Sequence, residues 1–106
     1  MRAAHRLPGV LRHVAMFRWA AGTTGDQVAE LQRSLDELPA VIPELRDYRT
    51  GGDAGLAPGN WDFVVVADVD DAAAWHAYID HPAHQRVLVE LLRPLLGERA
   101  ALQFEC

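Results

Sequence analysis

Cysteine is almost missing from this 106-residue sequence. Cys106 stands alone, so no internal disulfide can form, and a reducing, cytoplasmic setting is the expectation. Long apolar runs are missing too: nothing approaches the roughly 20 residues that a spanning helix needs, which removes an integral membrane helix from consideration. No dense basic cluster occurs and the formal net charge is -5, so the cationic surface on which nucleic-acid affinity rests is lacking. Glycine and proline, at eight and six residues, are too few for a low-complexity chain. What is present is an ordinary globular balance, half hydrophobic and about a quarter charged, on a chain long enough for one core and too short for two. Residues 1–10 contain Arg2 and Arg6 and are interrupted by Pro8-Gly9. They lack the apolar segment of a secretory signal and are expected to form a flexible leader before a single domain over 11–106.

The order of elements follows from periodicity. Leu11 to Trp19 alternates with a period of two, as a strand does. Thr24-Gly25-Asp26-Gln27 fits a capping box, and Val28, Leu31, Leu35 and Leu38 then recur at helical spacing above a polar face of Glu30, Gln32, Arg33, Asp36 and Glu37. Pro39 and Pro43 bracket a turn, Leu45 to Thr50 reads as a second strand ended by Gly51-Gly52, and the turn formers Gly55, Pro58 and Gly59 lead to a third strand from Trp61 to Val69. Asp70-Asp71 opens a second helix through Ala72, Trp75 and Tyr78, which Pro82 interrupts and restarts. Val87, Leu88, Leu91, Leu92, Leu95 and Leu96 continue its apolar stripe to Gly97, read as a C-terminal cap, and Ala100, Leu102 and Phe104 alternate in a last strand.

The resulting order, βαββαβ, is the ferredoxin-like α+β plan: a four-stranded antiparallel sheet with helices on one face. In the third strand Phe63, Val65 and Ala67 leave one side while Val64 and Val66 leave the other, so both faces are apolar and two helices can cover only one. An uncovered apolar face marks a partner surface, and the simplest partner is a second copy packed sheet to sheet in a homodimeric barrel.

The densest chemistry lies in Tyr78-Ile79-Asp80-His81-Pro82-Ala83-His84, with His13 inside the first strand. A histidine titrates near neutrality and can remove a proton alpha to a carbonyl when a hydroxyl orients it, which suits a cofactor-free aldol or isomerisation step. On that reading His84 is the base, Tyr78 its partner, and His13 orients substrate. The competing readings are a satisfied helix-start histidine for His84 and a strand histidine bonded to a backbone carbonyl for His13. His81, just before a proline, most simply caps or shapes the turn. Trp19, Trp61 and Trp75 read as core or interface anchors. The trio His76, His81 and His84 matches no common metal-ligand spacing, and His5 and Cys106 read as bystanders.

A set of motifs spread from about Leu11 to Glu105 resembles the stress-responsive dimeric α/β-barrel (Dabb) family. It comprises Arg12-His13-Val14 with Phe17 and Trp19, Leu38-Pro39 with Ile42-Pro43 and Leu45, the Tyr78 to His84 segment, and Arg93-Pro94-Leu95-Leu96. The resemblance implies a dimeric ferredoxin-like barrel. It includes a plant branch, the olivetolic-acid-cyclase-like polyketide cyclases, that closes a linear tetraketide-type acid by intramolecular aldol condensation. In that cyclase the residues matching Tyr78, His84 and His13 line a pocket between helices and sheet, with the one matching His84 as base and no cofactor. A further pocket tyrosine of the cyclase falls at Leu35 here, a departure from the cyclase pattern, so the resemblance does not extend to its substrate and activity. Two alternatives stand beside a carbonyl-processing enzyme: a non-catalytic small-molecule-binding or stress-protective dimer, and a cofactor-free monooxygenase of the same barrel plan. Fold does not choose among them.

Overall fold

Thr24 starts the first helix as its spacing requires. Its hydroxyl accepts from the Gln27 N–H at 3.2 Å, and the Gln27 side-chain oxygen accepts from the Thr24 N–H at 2.9 Å, so two end donors of α1 (Gly25–Asp36) are satisfied reciprocally. The structure, a computed structural model, describes residues 9–106. Strand β1 (Leu11–Trp19) precedes α1, and β2 (Asp47–Gly52) and β3 (Phe63–Val69) follow it. Then come α2 (Ala72–Asp80), α3 (Pro82–Val87) and β4 (Leu96–Glu105). All strand pairs are antiparallel, and the sheet order is β2-β3-β1-β4. This is the ferredoxin-like α+β fold expected from the element order.

The helices cover one face of the sheet. Ala15, Phe17, Phe63, Val65 and Ala67 are buried against Leu31, Leu35, Leu38, Ile42, Tyr78, Val87, Leu92 and Leu95. The other face is left without a helix. Register sets Val14 and Met16 of β1 against Val66 and Val64 of β3 on one side and Leu102 and Ala100 of β4 on the other. Leu102 is 58% exposed and Phe104 43%. At the edge of this apolar patch Arg12 grips the directly opposed Asp68 through two bonds of 2.8 and 2.9 Å, which holds the Asp68 carboxyl below its ordinary range.

Several boundaries differ from the sequence reading. β2 starts at Asp47 and includes Gly51 and Gly52, which pair with Val64 and Phe63, and β3 starts at Phe63 rather than Trp61. Trp61 instead lies under the Arg18 guanidinium, 4.4 Å from ring centre to Cζ. Of the expected leader 1–10, residues 1–8 lie outside the described residues, while Val10 exchanges backbone hydrogen bonds with Cys106.

The larger correction concerns Gly97, which caps no helix. The helical stretch ends in a 3-10 turn at Leu95, and Gly97 is the extra residue of a β-bulge between the Arg18–Glu98 and Trp19–Leu96 pairs. A Cβ there would stand 3.0 Å from the Arg18 carbonyl oxygen and 3.1 Å from that of Trp19, so glycine serves close backbone approach. Gly97→Ala is therefore expected to cost about 1–3 kcal/mol in urea unfolding. Gly25→Ala, whose methyl would meet nothing within 4 Å at a helix start, is expected to be neutral or mildly stabilising.

Candidate active site

The helix break at His81-Pro82 builds the centre of the site. Pro82 has no N–H to give the Tyr78 carbonyl, which accepts instead from the His81 N–H at 3.2 Å. His81 turns extended and its Nδ1 accepts the Ala83 N–H at 3.0 Å, capping α3 as its position before the proline suggested. The Ile79 carbonyl, whose helical partner would have been that same Ala83 N–H, is thereby free. It accepts from His84 Nδ1 at 2.9 Å and from the Gln85 amide at 2.8 Å.

This bond fixes the tautomer of His84. A carbonyl only accepts, so Nδ1 carries the proton and the Nε2 lone pair remains for chemistry. The ring sits against Tyr78, centroids 4.5 Å apart. His13, projecting from the helix-covered face of β1, also lies near Tyr78, ring centroids 6.0 Å apart. His13 Nδ1 receives the Trp75 indole N–H at 3.2 Å and the Gln103 amide at 2.9 Å. An indole only donates, so His13 has the opposite tautomer, with its proton on Nε2. The structure thus brings the three expected residues to one place: the His84 imidazole with an Nε2 lone pair, the Tyr78 phenol and a His13 Nε2–H. Trp75, expected as an anchor, orients His13.

These groups line one cavity of about 230 Å³ between helices and sheet. Its wall is mostly apolar, with Phe17, Val65, Leu88 and Leu92 among the contributors. Leu88 and Leu92 bound a π-helical turn that continues α3 (Leu88–Leu92) and widens the helix at the cavity. Burial is the first cause of every proton-affinity shift here. It pushes His13 down to about 4, helped by the positive charge of Arg99, and lowers His84 more than its bond to Ile79 raises it. Burial lifts the Tyr78 phenol to about 12. Near neutral pH both imidazoles are uncharged and Tyr78 keeps its proton.

Three polar lining residues were not among the expected site residues: Tyr48, Arg99 and Arg93, the last quoted only within the Arg93-Pro94-Leu95-Leu96 motif. Tyr48 of β2 pairs with Ala67 and so faces the helices. Its phenol stands edge to face with Tyr78, centroids 6.3 Å apart, close enough to perturb it. Yet the Tyr48 hydroxyl is buried with no well-aligned hydrogen-bond partner among the described residues. Strand alternation through 48 and 50 was the available signal. Leu35 lines the cavity as an aliphatic side chain. His76, His81 and His84 do not converge, and no group of three or more metal-ligating side chains is found among the described residues.

A ferredoxin-like α+β domain with a histidine–tyrosine cavity under its helices is the class defined so far. The chain belongs to the family described as Stress responsive A/B Barrel Domain, whose model matches residues 11–106. An uncharacterised protein of Streptomyces coelicolor is 31% identical over 78 residues, 72% of this chain and 80% of its own. A dimeric ferredoxin-like protein of unknown function from Thermobifida fusca is 45% identical, with a TM-score of 0.86 over 96% of this chain and 95% of its own. The hydroxynitrile lyase of Passiflora edulis, at 15% identity and a TM-score of 0.82 over 94% and 95% of the two chains, shares the fold. Among the described residues no helix is long and apolar enough to cross a membrane.

The low proton affinity of His13 has a consequence for stability. Between its folded value of about 4 and its ordinary value of 6.5, the unfolded chain binds a proton that the native chain does not, so stability falls on acidification through that window. Urea unfolding midpoints measured from pH 7 to 4 are expected to drop, and His13→Gln is expected to make the part of the slope between 6.5 and 4 shallower without removing it, since His84, also lowered from 6.5, contributes below that value. The loss due to Asp68, whose affinity is lowered from 3.8, lies below that range.

Proposed function

We propose that the cavity is the active site of a cofactor-independent enzyme that abstracts a proton alpha to a carbonyl of a small molecule and uses the carbanion in an aldol-type cyclisation or isomerisation. The observation that carries this reading is the His84–Ile79 bond, which leaves an uncharged imidazole lone pair beside the Tyr78 phenol in an apolar enclosure. His84 Nε2 takes the carbon-bound proton and the C–H electron pair becomes an enolate. The oxygen of that enolate accepts from the Tyr78 hydroxyl and the His13 Nε2–H. The enolate carbon then attacks a second carbonyl of the same molecule, and the new alkoxide takes back the proton from His84, so no redox partner is required. The sequence has ten arginines and no lysine, so a route through a lysine imine is not open to these residues. A hydroxynitrile lyase among the fold neighbours shows that this fold serves catalysis in that protein. In D₂O the protein is expected to accelerate α-proton exchange of a β-diketone such as acetylacetone, and His84→Ala to lose about 100- to 10,000-fold of that rate. An equal rate in the variant removes the mechanism, and no acceleration by the wild type leaves a binding site without turnover.

We propose further that the working unit is a homodimer joined through the open sheet face. The support is the patch of Val14, Met16, Val64, Val66, Leu102 and Phe104, together with the dimeric description of the Thermobifida fusca protein at 45% identity. Such a face in water costs roughly 25 cal/mol for each Å² left uncovered. Light scattering at micromolar concentration is expected to give twice the 11.7 kDa chain mass, and Val66→Asp to give the monomer. A wild-type monomer would refute the assembly.

A further inference from the structure

The chain as a whole is acidic, with 15 Asp and Glu against ten basic residues, but the cavity wall is not. No carboxylate lines it, and its formal charges are two arginines, Arg93 and Arg99. Both are exposed, on the solvent side of a cavity whose interior is apolar. Arg93 starts the 3-10 turn that follows the π turn, and Arg99 stands on the edge strand β4 opposite Phe17, on the helix-covered side of the sheet. Arg12, Arg18, Arg46 and Arg49 each have a carboxylate within 4 Å, whereas no such ion pair is found for Arg93 or Arg99 among the described residues. The field of Arg99 reaches inward, because it disfavours the charged forms of both His13 and His84.

Two cations at the mouth of an acid-free apolar cavity are the complement of an amphipathic anion. We infer that the ligand of this site carries an oxyanion head, a carboxylate or a phosphate, held by the guanidiniums of Arg93 and Arg99, with an uncharged body reaching in toward Tyr78 and His84. A guanidinium offers a planar fork of donors that matches such a head bidentately, and a head left half in water avoids the cost of burying charge. At about 230 Å³ the interior is below the usual ~300–1,000 Å³ of drug-sized sites, so the body is a short chain or a single ring. The inference rests on the cavity being the ligand site of the proposed function, but not on its chemistry.

Calorimetric titration of the full chain at pH 7 with hexanoate, hexyl phosphate and hexanamide separates charge from body. One or both anions are expected to bind about tenfold more tightly than the amide, the low end of what hydrogen bonds to exposed charged groups supply, and the tighter of the two identifies the head. Replacing both Arg93→Gln and Arg99→Gln is expected to abolish that preference while hexanamide still binds, which shows that the cavity is intact. Equal affinity for amide and anions in the wild type, or a preference that survives the double replacement, overturns the inference. In that event the α-proton exchange assay with the uncharged diketone still decides the catalytic reading by itself.

Discussion

The site depends on one missing N–H. Pro82 removes the donor that would have continued α2, and the chain re-forms its hydrogen bonds around the gap. The Tyr78 carbonyl takes the His81 N–H, the His81 ring takes the Ala83 N–H, and the stranded Ile79 carbonyl takes the His84 ring. Buried carbonyls left without partners are costly, so the break and the histidine tautomer are settled by the same accounting. His84 thus satisfies a helix end with one nitrogen and leaves the lone pair of the other uncommitted, so the structural reading of this residue and the proposed one concern different nitrogens.

The same economy explains why the two histidines differ. His84 donates to a carbonyl and keeps an Nε2 lone pair, whereas His13 accepts from an indole and an amide and keeps an Nε2 proton. Burial holds both neutral near pH 7, so one ring presents an uncharged lone pair and the other an uncharged N–H. Tyr78, near both and lifted to about 12, remains a donor where an exposed phenol would be closer to losing its proton. The sheet contributes rigidity. His13 sits in the inner strand β1 and is held from both sides, by α2 through Trp75 and by β4 through Gln103.

Most of the fold was legible because its signals are local. The capping box at Thr24, the alternation of Phe63, Val65 and Ala67 with Val64 and Val66, and the proline restart at 82 each depend on residues within a few positions. Gly97 was misread because a glycine after a leucine stripe has the same local appearance whether it caps a helix or yields to a neighbouring strand. Only the approach of the Arg18 and Trp19 carbonyls, some eighty positions earlier, separates the two. The site divides in the same way. Tyr78 and His84 share one short segment whose chemistry is visible, and His13 stands out as a polar residue in an apolar strand. Tyr48, Arg93 and Arg99 sit in stretches where tyrosine and arginine are ordinary surface residues, and only the sheet register and the π turn bring them to the cavity.

The two faces of the sheet are consequently under different constraints. On the helix side, Ala15, Phe17 and Val65 line the cavity, and a change of volume there alters its shape. On the open side, Val14, Met16, Val64 and Val66 belong to the same strands but do not line that cavity. Because successive side chains leave opposite faces, a substitution at 64 or 66 changes the open face without entering the helix-side core, and one at 63 or 65 does the reverse. Open-face and helix-side positions therefore alternate residue by residue along β1 and β3. A one-residue slip of either strand would exchange the two surfaces, which the Arg12–Asp68 pair and the Gly97 bulge resist by fixing register on both sides of β1.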